Sequence, residues 1–200
     1  MKIILIGALD NIGNGGSEVL SSEHEIIEFG YSTGDFQVDI SVKKSIEKLF
    51  QDVDSFDAVI CAAGWARFCS LEDQPDEDYT LALTNKLMGQ VDLVRVGQKY
   101  ISDNGSFSLT GGMLSQHPSP RSASVSMVNG GIENFVRAAA LGMKRGIRVN
   151  AVSPLLVKET AEAKGTGSAG GISASKIDLA YKESVEGKRN GEVLNGSDFA

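Results

Sequence analysis

Short apolar runs alternate with longer amphipathic stretches along most of this chain. The runs are rich in β-branched and aliphatic residues and often end at Gly or Asn, which is typical of strands buried on both faces. Strands are predicted over residues 2–7, 25–29, 36–39, 56–61, 105–110, 148–152 and 192–194. Helices are predicted over residues 42–50, 77–99, 123–143 and 177–185.

Two of these helices carry specific local signals. Ser41 is a favourable N-cap for the helix that begins at Val42. Leu83, Leu87 and Val91 recur at four-residue spacing, which predicts one apolar face on the helix over 77–99. Strands that alternate with helices form a parallel sheet through right-handed crossovers. The pattern therefore predicts an α/β Rossmann fold, a doubly wound parallel sheet of about seven strands with helices on both faces.

Length and composition favour one globular domain over residues 1–200. Hydrophobic residues make up 42% of the 200 residues and charged residues 22%, values typical of folded proteins rather than disordered ones. Lys and Arg total 19 against 26 for Asp and Glu, a net charge of −7. Nucleic-acid binders need clustered cations, so no nucleic-acid partner is expected.

Membrane insertion and metal binding find no support in the sequence. The apolar stretch over residues 3–9 is too short for a membrane span or a signal peptide. Cys61 and Cys69 match no zinc or redox spacing, so we expect reduced thiols and no metal. These features predict a cytoplasmic protein without a membrane partner.

A glycine-bounded turn follows the first predicted strand and carries the first chemical signal. It runs from Gly7 through Asn11 to Gly13 and leads into a helix. Free N–H groups at a helix N-terminus favour an anion such as a pyrophosphate. An ordinary tight turn between a strand and a helix has the same pattern, so the turn by itself leaves both interpretations open.

Four further motifs follow in order. They are the segment Val38-Asp39-Ile40, the segment Cys61-Ala62-Ala63-Gly64, the side chain of Asn85, and the segment Gly146-Ile-Arg-Val-Asn-Ala-Val-Ser-Pro154. With the glycine turn, they resemble the short-chain dehydrogenase/reductase family along nearly the whole chain. The resemblance implies an NAD(P)-dependent oxidoreductase with a small-molecule substrate that assembles as a homodimer or homotetramer.

The resemblance also implies which residues hold the cofactor, NADP or NAD. The predicted cofactor-binding residues are Gly7, Ala8, Asn11, Ile12, Gly13, Tyr31, Asp39, Ile40, Ala62, Ala63, Gly64, Asn129 and Pro154. Tyr31 is suited to stack on adenine, and Asp39 either contacts adenine or caps the next helix. Residues 30–33 contain neither an acid for the ribose 2′-hydroxyl nor an Arg for a 2′-phosphate, so NAD and NADP are not distinguished.

The catalytic positions depart from the family pattern. Aligning the helix over 123–143 puts Val125 at the position of the family's Tyr and Asn129 at that of its Lys. Gly112 falls where the family has Ser, so Asn85 is the one member of the set that remains. Reduction of a carbonyl creates an alkoxide that needs a proton. Val125 carries none, and neutral Asn129 supplies no field to lower the pKa of an acid.

Nearby hydroxyl groups offer a replacement. Ser115 and Thr110 are predicted near the substrate as candidate catalytic residues beside Asn85. Histidine is a common proton carrier in active sites, but His117 lies in a loop directly before Pro118 and Pro120, where a surface position is expected. Two functions follow: an oxidoreductase with non-standard catalytic residues, acting on a carbonyl or alcohol, or a dinucleotide-binding or regulatory protein that has lost turnover.

Overall fold

The strands form one parallel sheet in a computed structural model that describes residues 1–7, 20–32, 34–154 and 174–199. The strands are β1 (Lys2–Ile6), β2 (Glu25–Gly30), β3 (Phe36–Gln37), β4 (Phe56–Cys61), β5 (Ile101–Thr110), β6 (Arg148–Ser153) and β7 (Val193–Asn195). Their order across the sheet is β3-β2-β1-β4-β5-β6-β7.

Helices follow most of the strands. They are α1 (Lys43–Val53), α2 (Asp76–Leu81), a π-helical turn (Ala82–Met88), α3 (Gly89–Gly97), α4 (Ala123–Gly142) and α5 (Ala174–Glu186). Short 3-10 turns cover Met113–Ser115 and Gly196–Asp198. In the described part of the chain, no helix combines the length and the apolar character that crossing a membrane requires.

Apolar residues fill both faces of the sheet. Ile4 and Ile6 of β1 face a core cluster shared with α1, α3 and α4, whereas Ile3 and Leu5 face a second cluster shared with α5. Successive strand residues point to opposite faces, so a run of aliphatic residues supplies both layers. The predicted fold class, a doubly wound parallel sheet covered by helices on both faces, is confirmed.

The strand order places a crevice between β1 and β4. The chain runs from β1 outward to β3 on one side and then returns to β4 on the other side. At such a reversal the connections leave in opposite directions, and ligands bind outside the carboxyl ends of the strands. The end of β1 contacts the end of β4 through a hydrogen bond from Ala62 N to the carbonyl of Ile6 (2.9 Å).

Two predicted details of the helices are wrong. The helix α1 begins after Val42, and the Ser41 hydroxyl donates to Asp39 Oδ1 (2.6 Å) instead of capping the helix. The helix predicted over 77–99 contains the π-helical turn, in which the N–H of Gly89 donates to the carbonyl of Thr84, five residues back. The wider turn breaks the α-helical spacing, so Leu83 is 39% exposed whereas Val91 is buried.

Candidate active site

A cavity of about 480 Å³ opens at the carboxyl ends of β1, β2 and β4. It is the crevice that the strand order predicts. The predicted site residues that line it are Gly7, Tyr31, Asp39, Ile40, Ala63, Gly64 and Asn85. Ala62, half-buried at the end of β4, is not among its lining residues, and Ala8, Asn11, Ile12 and Gly13 lie outside the described residues.

The end of β1 needs glycine at position 7. Gly7 has φ +85°, and a Cβ there would lie 2.8 Å from Ala63 N and 2.9 Å from Ala63 Cβ. Its own N–H donates to the carbonyl of Phe29 (2.9 Å). The ends of three strands therefore meet in a contact that excludes any larger residue, which keeps the floor of the cavity open and close to the backbone.

One end of the cavity is suited to a flat aromatic group. Tyr31 is 78% exposed beside it, and Ile40 is buried against the core. Asp39 Oδ1 accepts hydrogen bonds from the N–H of Ser41 (2.9 Å) and from its hydroxyl. Asp39 therefore lines the cavity, and its carboxylate anchors the turn before α1. Among the described residues, no side chain caps the first turn of α1, so the capping alternative is wrong, and contact with adenine stays a prediction.

The π-helical turn positions Asn85 in the lining of the cavity. Asn85 Oδ1 accepts a hydrogen bond from Trp65 N (2.8 Å), which ties the turn to the segment after β4. Gly64 precedes this contact at φ +141°, and a Cβ there would lie 2.8 Å from Lys86 Cγ. The side chain of Lys86 therefore lies directly over the backbone of Gly64.

Lys86 was not identified from the sequence. Its Nζ donates to the carbonyl of Thr110 (3.3 Å), the last residue of β5. Burial lowers the pKa of Lys86 to about 8, and burial raises the pKa of the nearby Cys61 thiol to about 12. The sequence pattern that could have identified Lys86 is a Lys directly after Asn85 in a helix with a predicted apolar face, where a charged side chain is unusual.

Asn129 lies next to the segment that follows β5. It is 3% exposed, and its Nδ2 donates to the carbonyl of Gly112 (3.4 Å). Among the described residues, Asn129 Oδ1 has no hydrogen-bond partner although it is buried. Val125 is buried one turn earlier on α4. Pro154 accepts a hydrogen bond from Met113 N (3.3 Å), so the end of β6 is joined to the same segment.

Ser115 is paired with a carboxylate that sequence reasoning missed. Its hydroxyl donates to the carbonyl of Gly112 (3.0 Å) and to Glu133 Oε1. Glu133 is 3% exposed, and its Oε2 accepts from Gln116 Nε2 (3.4 Å) and lies 3.8 Å from Arg137 Nη2. The sequence pattern that could have identified Glu133 is its spacing, because it follows Asn129 by four residues and therefore lies on the same helix face.

Thr110 does not reach the cavity, which corrects its prediction as a catalytic residue. Its hydroxyl lies 2.6 Å from the carbonyl oxygen of Cys61 and 2.6 Å from the Tyr181 hydroxyl. It is 3% exposed and faces α5, whereas Leu109 faces the layer of α4. The period of two along β5 decides this, since neighbouring residues point to opposite faces. Burial also raises the pKa of Tyr181.

Two other titratable groups lie away from the cavity. His117 is exposed, as its position in the loop before Pro118 and Pro120 predicts. Glu23, His24 and Glu186 lie together on the surface, with His24 Nε2 2.9 Å from Glu186 Oε1. Lys182 Nζ contacts both carboxylates, at 3.1 and 2.7 Å, so this group is neutralised as an ion-pair cluster.

Comparisons with known proteins agree with this geometry. A family model described as enoyl-(acyl carrier protein) reductase matches residues 15–192. The solved structure of the protein lin1944 from Listeria innocua is similar, with 36% identity, a TM-score of 0.94 and 98% of each chain covered.

A small-chain dehydrogenase in complex with NADPH is 27% identical, with a TM-score of 0.88 over 98% of this chain and 95% of that one. The Cj0485 dehydrogenase, 18% identical with a TM-score of 0.86 over 98% of this chain and 93% of that one, shares the fold. A comparison with curated proteins gave no match.

Proposed function

The chain belongs to the short-chain dehydrogenase/reductase family of NAD(P)-dependent oxidoreductases, and from that premise we propose that it reduces a small carbonyl compound, or oxidises the corresponding alcohol, with catalytic residues that differ from the family's. The observation that carries the proposal is the cavity at the carboxyl ends of β1, β2 and β4. Its lining combines the glycine floor, the exposed Tyr31 and the amide of Asn85.

The residues present fit a nicotinamide dinucleotide. The close approach of Gly7 to Ala63 leaves open the space that a Cβ would fill, which suits a pyrophosphate lying against the backbone. Tyr31 and Ile40 are suited to hold the adenine between them. The Oδ1 of Asn129, which has no hydrogen-bond partner among the described residues, is a buried acceptor suited to a ribose hydroxyl. Ala62 and Pro154 would complete the walls at the ends of β4 and β6.

The bound cofactor would supply a hydride to the substrate carbonyl. The chain's own task is then to align the carbonyl carbon, exclude water and deliver a proton to the oxygen. From the predicted catalytic set we retain Asn85, which lines the cavity, for orienting the substrate. We also retain Ser115, which lies beside Gly112 rather than in the lining of the cavity. Ser115 is hydrogen-bonded to a buried carboxylate, so its hydroxyl is held in a fixed direction.

Both NADP and NAD are proposed as cofactors. The related dehydrogenase solved with NADPH supports NADP, yet Gly30, Tyr31 and Ser32 at the end of β2 offer neither a carboxylate nor a guanidinium. We therefore expect a preference of less than about tenfold, or about 1.4 kcal/mol, between NADPH and NADH.

Trp65 provides the test. It is the single tryptophan of the chain and lines the cavity, so its fluorescence reports what binds there. Titration with NADPH and with NADH should quench Trp65, and calorimetry should give the same dissociation constants. Absence of quenching and of heat at millimolar cofactor would refute the cofactor assignment.

A dinucleotide-binding or regulatory protein without turnover is the second candidate. The loss of the family's acid at Val125 favours it, because general acid catalysis contributes about 10²–10⁴-fold. A panel of aldehydes, ketones and enones with NADPH separates the two. Cofactor oxidation that depends on the carbonyl supports the enzyme, and tight binding without any oxidation supports the regulatory protein.

We also propose self-association as a homodimer or homotetramer, from the family resemblance, and a cytoplasmic location, from the sequence features described above. Met127 and Leu141 of α4 are 43% and 91% exposed, so this helix offers apolar side chains to a second copy. Light scattering of the purified protein should give a mass at least twice 21.2 kDa. A monomer at micromolar concentration would contradict the assignment.

A further inference from the structure

We propose that Lys86 donates the proton to the substrate carbonyl, in place of the acid that α4 lacks at Val125. This inference rests on the proposed function, because it needs a carbonyl substrate beside the cavity. The residue lies on the π-helical turn, next to Asn85, whose side chain lines the cavity. Its ammonium lies at the carboxyl end of β5, where the segment leading to Gly112 begins.

The path of the side chain carries the argument. The Cα, Cβ and Cγ of Lys86 would lie 2.8–3.1 Å from a Cβ placed on Gly64, so the aliphatic part crosses the cavity-lining backbone at the end of β4. Nζ then reaches the carbonyl of Thr110 at 3.3 Å. The ammonium therefore lies between the ends of β4 and β5, and the end of β4 is one of the strand ends that open onto the cavity.

The contact with Thr110 does not by itself explain the lysine. The same carbonyl oxygen accepts a hydrogen bond from Gln90 Nε2 (3.0 Å), and Gln90 Oε1 accepts from Thr110 N (2.7 Å). The N–H and the carbonyl of Thr110 are therefore already hydrogen-bonded to the side-chain amide of Gln90. The Lys86 ammonium has three N–H donors. Among the described residues, the carbonyl oxygen of Thr110 is its one hydrogen-bond partner. The remaining donors are available to a substrate oxygen.

The charged groups around Lys86 do not oppose the release of its proton. Among the described residues, no carboxylate lies within ion-pair distance of Lys86 Nζ. From β4 it faces the Cys61 thiol, whose raised pKa keeps it neutral. The other titratable groups near the end of β5 are Tyr181 of α5 and Glu133 of α4, hydrogen-bonded to Thr110 and Ser115 respectively.

Burial gives Lys86 the acidity that proton transfer needs. Removing the ammonium from water lowers the pKa of Lys86 to about 8, because its neutral form loses less solvation. An acid with a pKa near the working pH is both protonated and able to release its proton. The family resemblance expects this proton to come from α4, whereas in this chain it comes from the helix that carries Asn85.

The step balances as follows. The carbonyl carbon accepts a hydride from a reduced nicotinamide, and the C=O π electrons move to the oxygen. That oxygen takes a proton from Lys86 Nζ, so the products are the alcohol, the oxidised nicotinamide and a neutral amine. The amine regains its proton from water before the next turnover.

Two substitutions test the role in catalysis. Lys86→Met keeps the length of the side chain and removes the proton, and should lower kcat by about 10²–10⁴-fold with little change in KM. Lys86→Arg keeps a charge that does not dissociate, and should be similarly slow. Lys48→Met is the matched control, because Lys48 is exposed and paired with Asp52 on α1. It should keep the parent kcat and NADPH affinity.

The pH profile separates donation from a structural role. In the parent protein, reduction needs protonated Lys86, so kcat should be constant below the pKa of about 8 and fall tenfold per pH unit above it. The reverse oxidation should rise over the same range. Neither limb of the pH profile, the fall in reduction or the rise in oxidation, should remain in Lys86→Arg. A limb that persists in Lys86→Arg, or a Lys86→Met kcat within about threefold of the parent, overturns the proposal.

A titration without turnover gives an independent result. In protein labelled with ¹³C at the lysine ε-carbons, the signal missing from Lys86→Met identifies Lys86. Its midpoint should lie near 8 and shift when NADPH binds. A midpoint above about 10 overturns the inference while leaving the proposed function intact. Absence of NADPH binding overturns the proposed function instead, and binding without reduction of any carbonyl overturns both.

Discussion

Replacing Gly7 by alanine tests how tightly the ends of β1 and β4 are packed. The new methyl group would lie 2.8 Å from Ala63 N, 2.9 Å from Ala63 Cβ and 3.0 Å from Ala63 Cα. None of these atoms is the end of a flexible side chain. Either the strand end or the Ala63 backbone must therefore move, and Ala63 lines the cavity.

The expected cost follows from two contributions. An alanine at φ +85° has the left-handed penalty of about 1–2 kcal/mol. Relief of the contact with Ala63 adds the usual cost of overpacking, about 1–3 kcal/mol. The free energy of unfolding should fall by the sum, about 2–5 kcal/mol. A domain of this size loses about 2–4 °C of Tm per kcal/mol, so Gly7→Ala should melt about 4–20 °C below the parent.

Thermal unfolding and the Trp65 titration measure the two consequences. We expect the NADPH affinity to fall at least about tenfold, because a displaced Ala63 would narrow the cavity that it lines. Gly142→Ala is the control, because among the described residues a Cβ there has no heavy atom within 4 Å. It should melt at or slightly above the parent temperature. A Gly7→Ala protein within about 2 °C of the parent, with unchanged affinity, would refute the packing argument.

Two further predictions concern the faces of the sheet. Tyr181→Phe removes one hydrogen bond from the Thr110 hydroxyl, which keeps its bond to a backbone carbonyl, so the free energy of unfolding should fall by about 0.5–1.5 kcal/mol. Denaturant-induced unfolding measures this change. A changed NADPH affinity would contradict the placement of Thr110 away from the cavity. Val125→Tyr with Asn129→Lys should reduce carbonyls at least about tenfold faster than either single variant, since the ammonium activates the phenol. The double variant should then tolerate Lys86→Met, and steady-state kinetics on a carbonyl panel tests both statements once Tm and NADPH affinity match the parent's.

Much of the fold was predictable because it depends on local periodicity. The aliphatic run Ile3–Ile6 has apolar side chains on both faces, which only a strand covered on both sides can bury. The β4 strand was predicted with the bounds it has, over Phe56–Cys61. Alternation with helices then determined a parallel sheet, and the glycine of a tight turn identified Gly7 as a point of close approach.

The lining of the cavity was predictable for a related reason. Parallel strands end at one edge of the sheet, so motifs that follow β1, β2 and β4 must meet there. Gly7, Tyr31, Asp39 and Gly64 are brought together in this way across more than fifty residues of sequence. The family resemblance named these residues, and the order of elements along the chain explains why they meet.

The proton-handling groups depended on the tertiary structure. Thr110 looked available from the sequence, but the pleat of β5 turns its hydroxyl toward Tyr181 on the opposite face. Lys86 was not identified from the sequence, and the π-helical turn places its half-buried side chain over Gly64. Periodicity determines which faces of an element are apolar. The environment of a single charged side chain depends on helix register and on what packs against it, and these are decided only when the helices pack on the sheet.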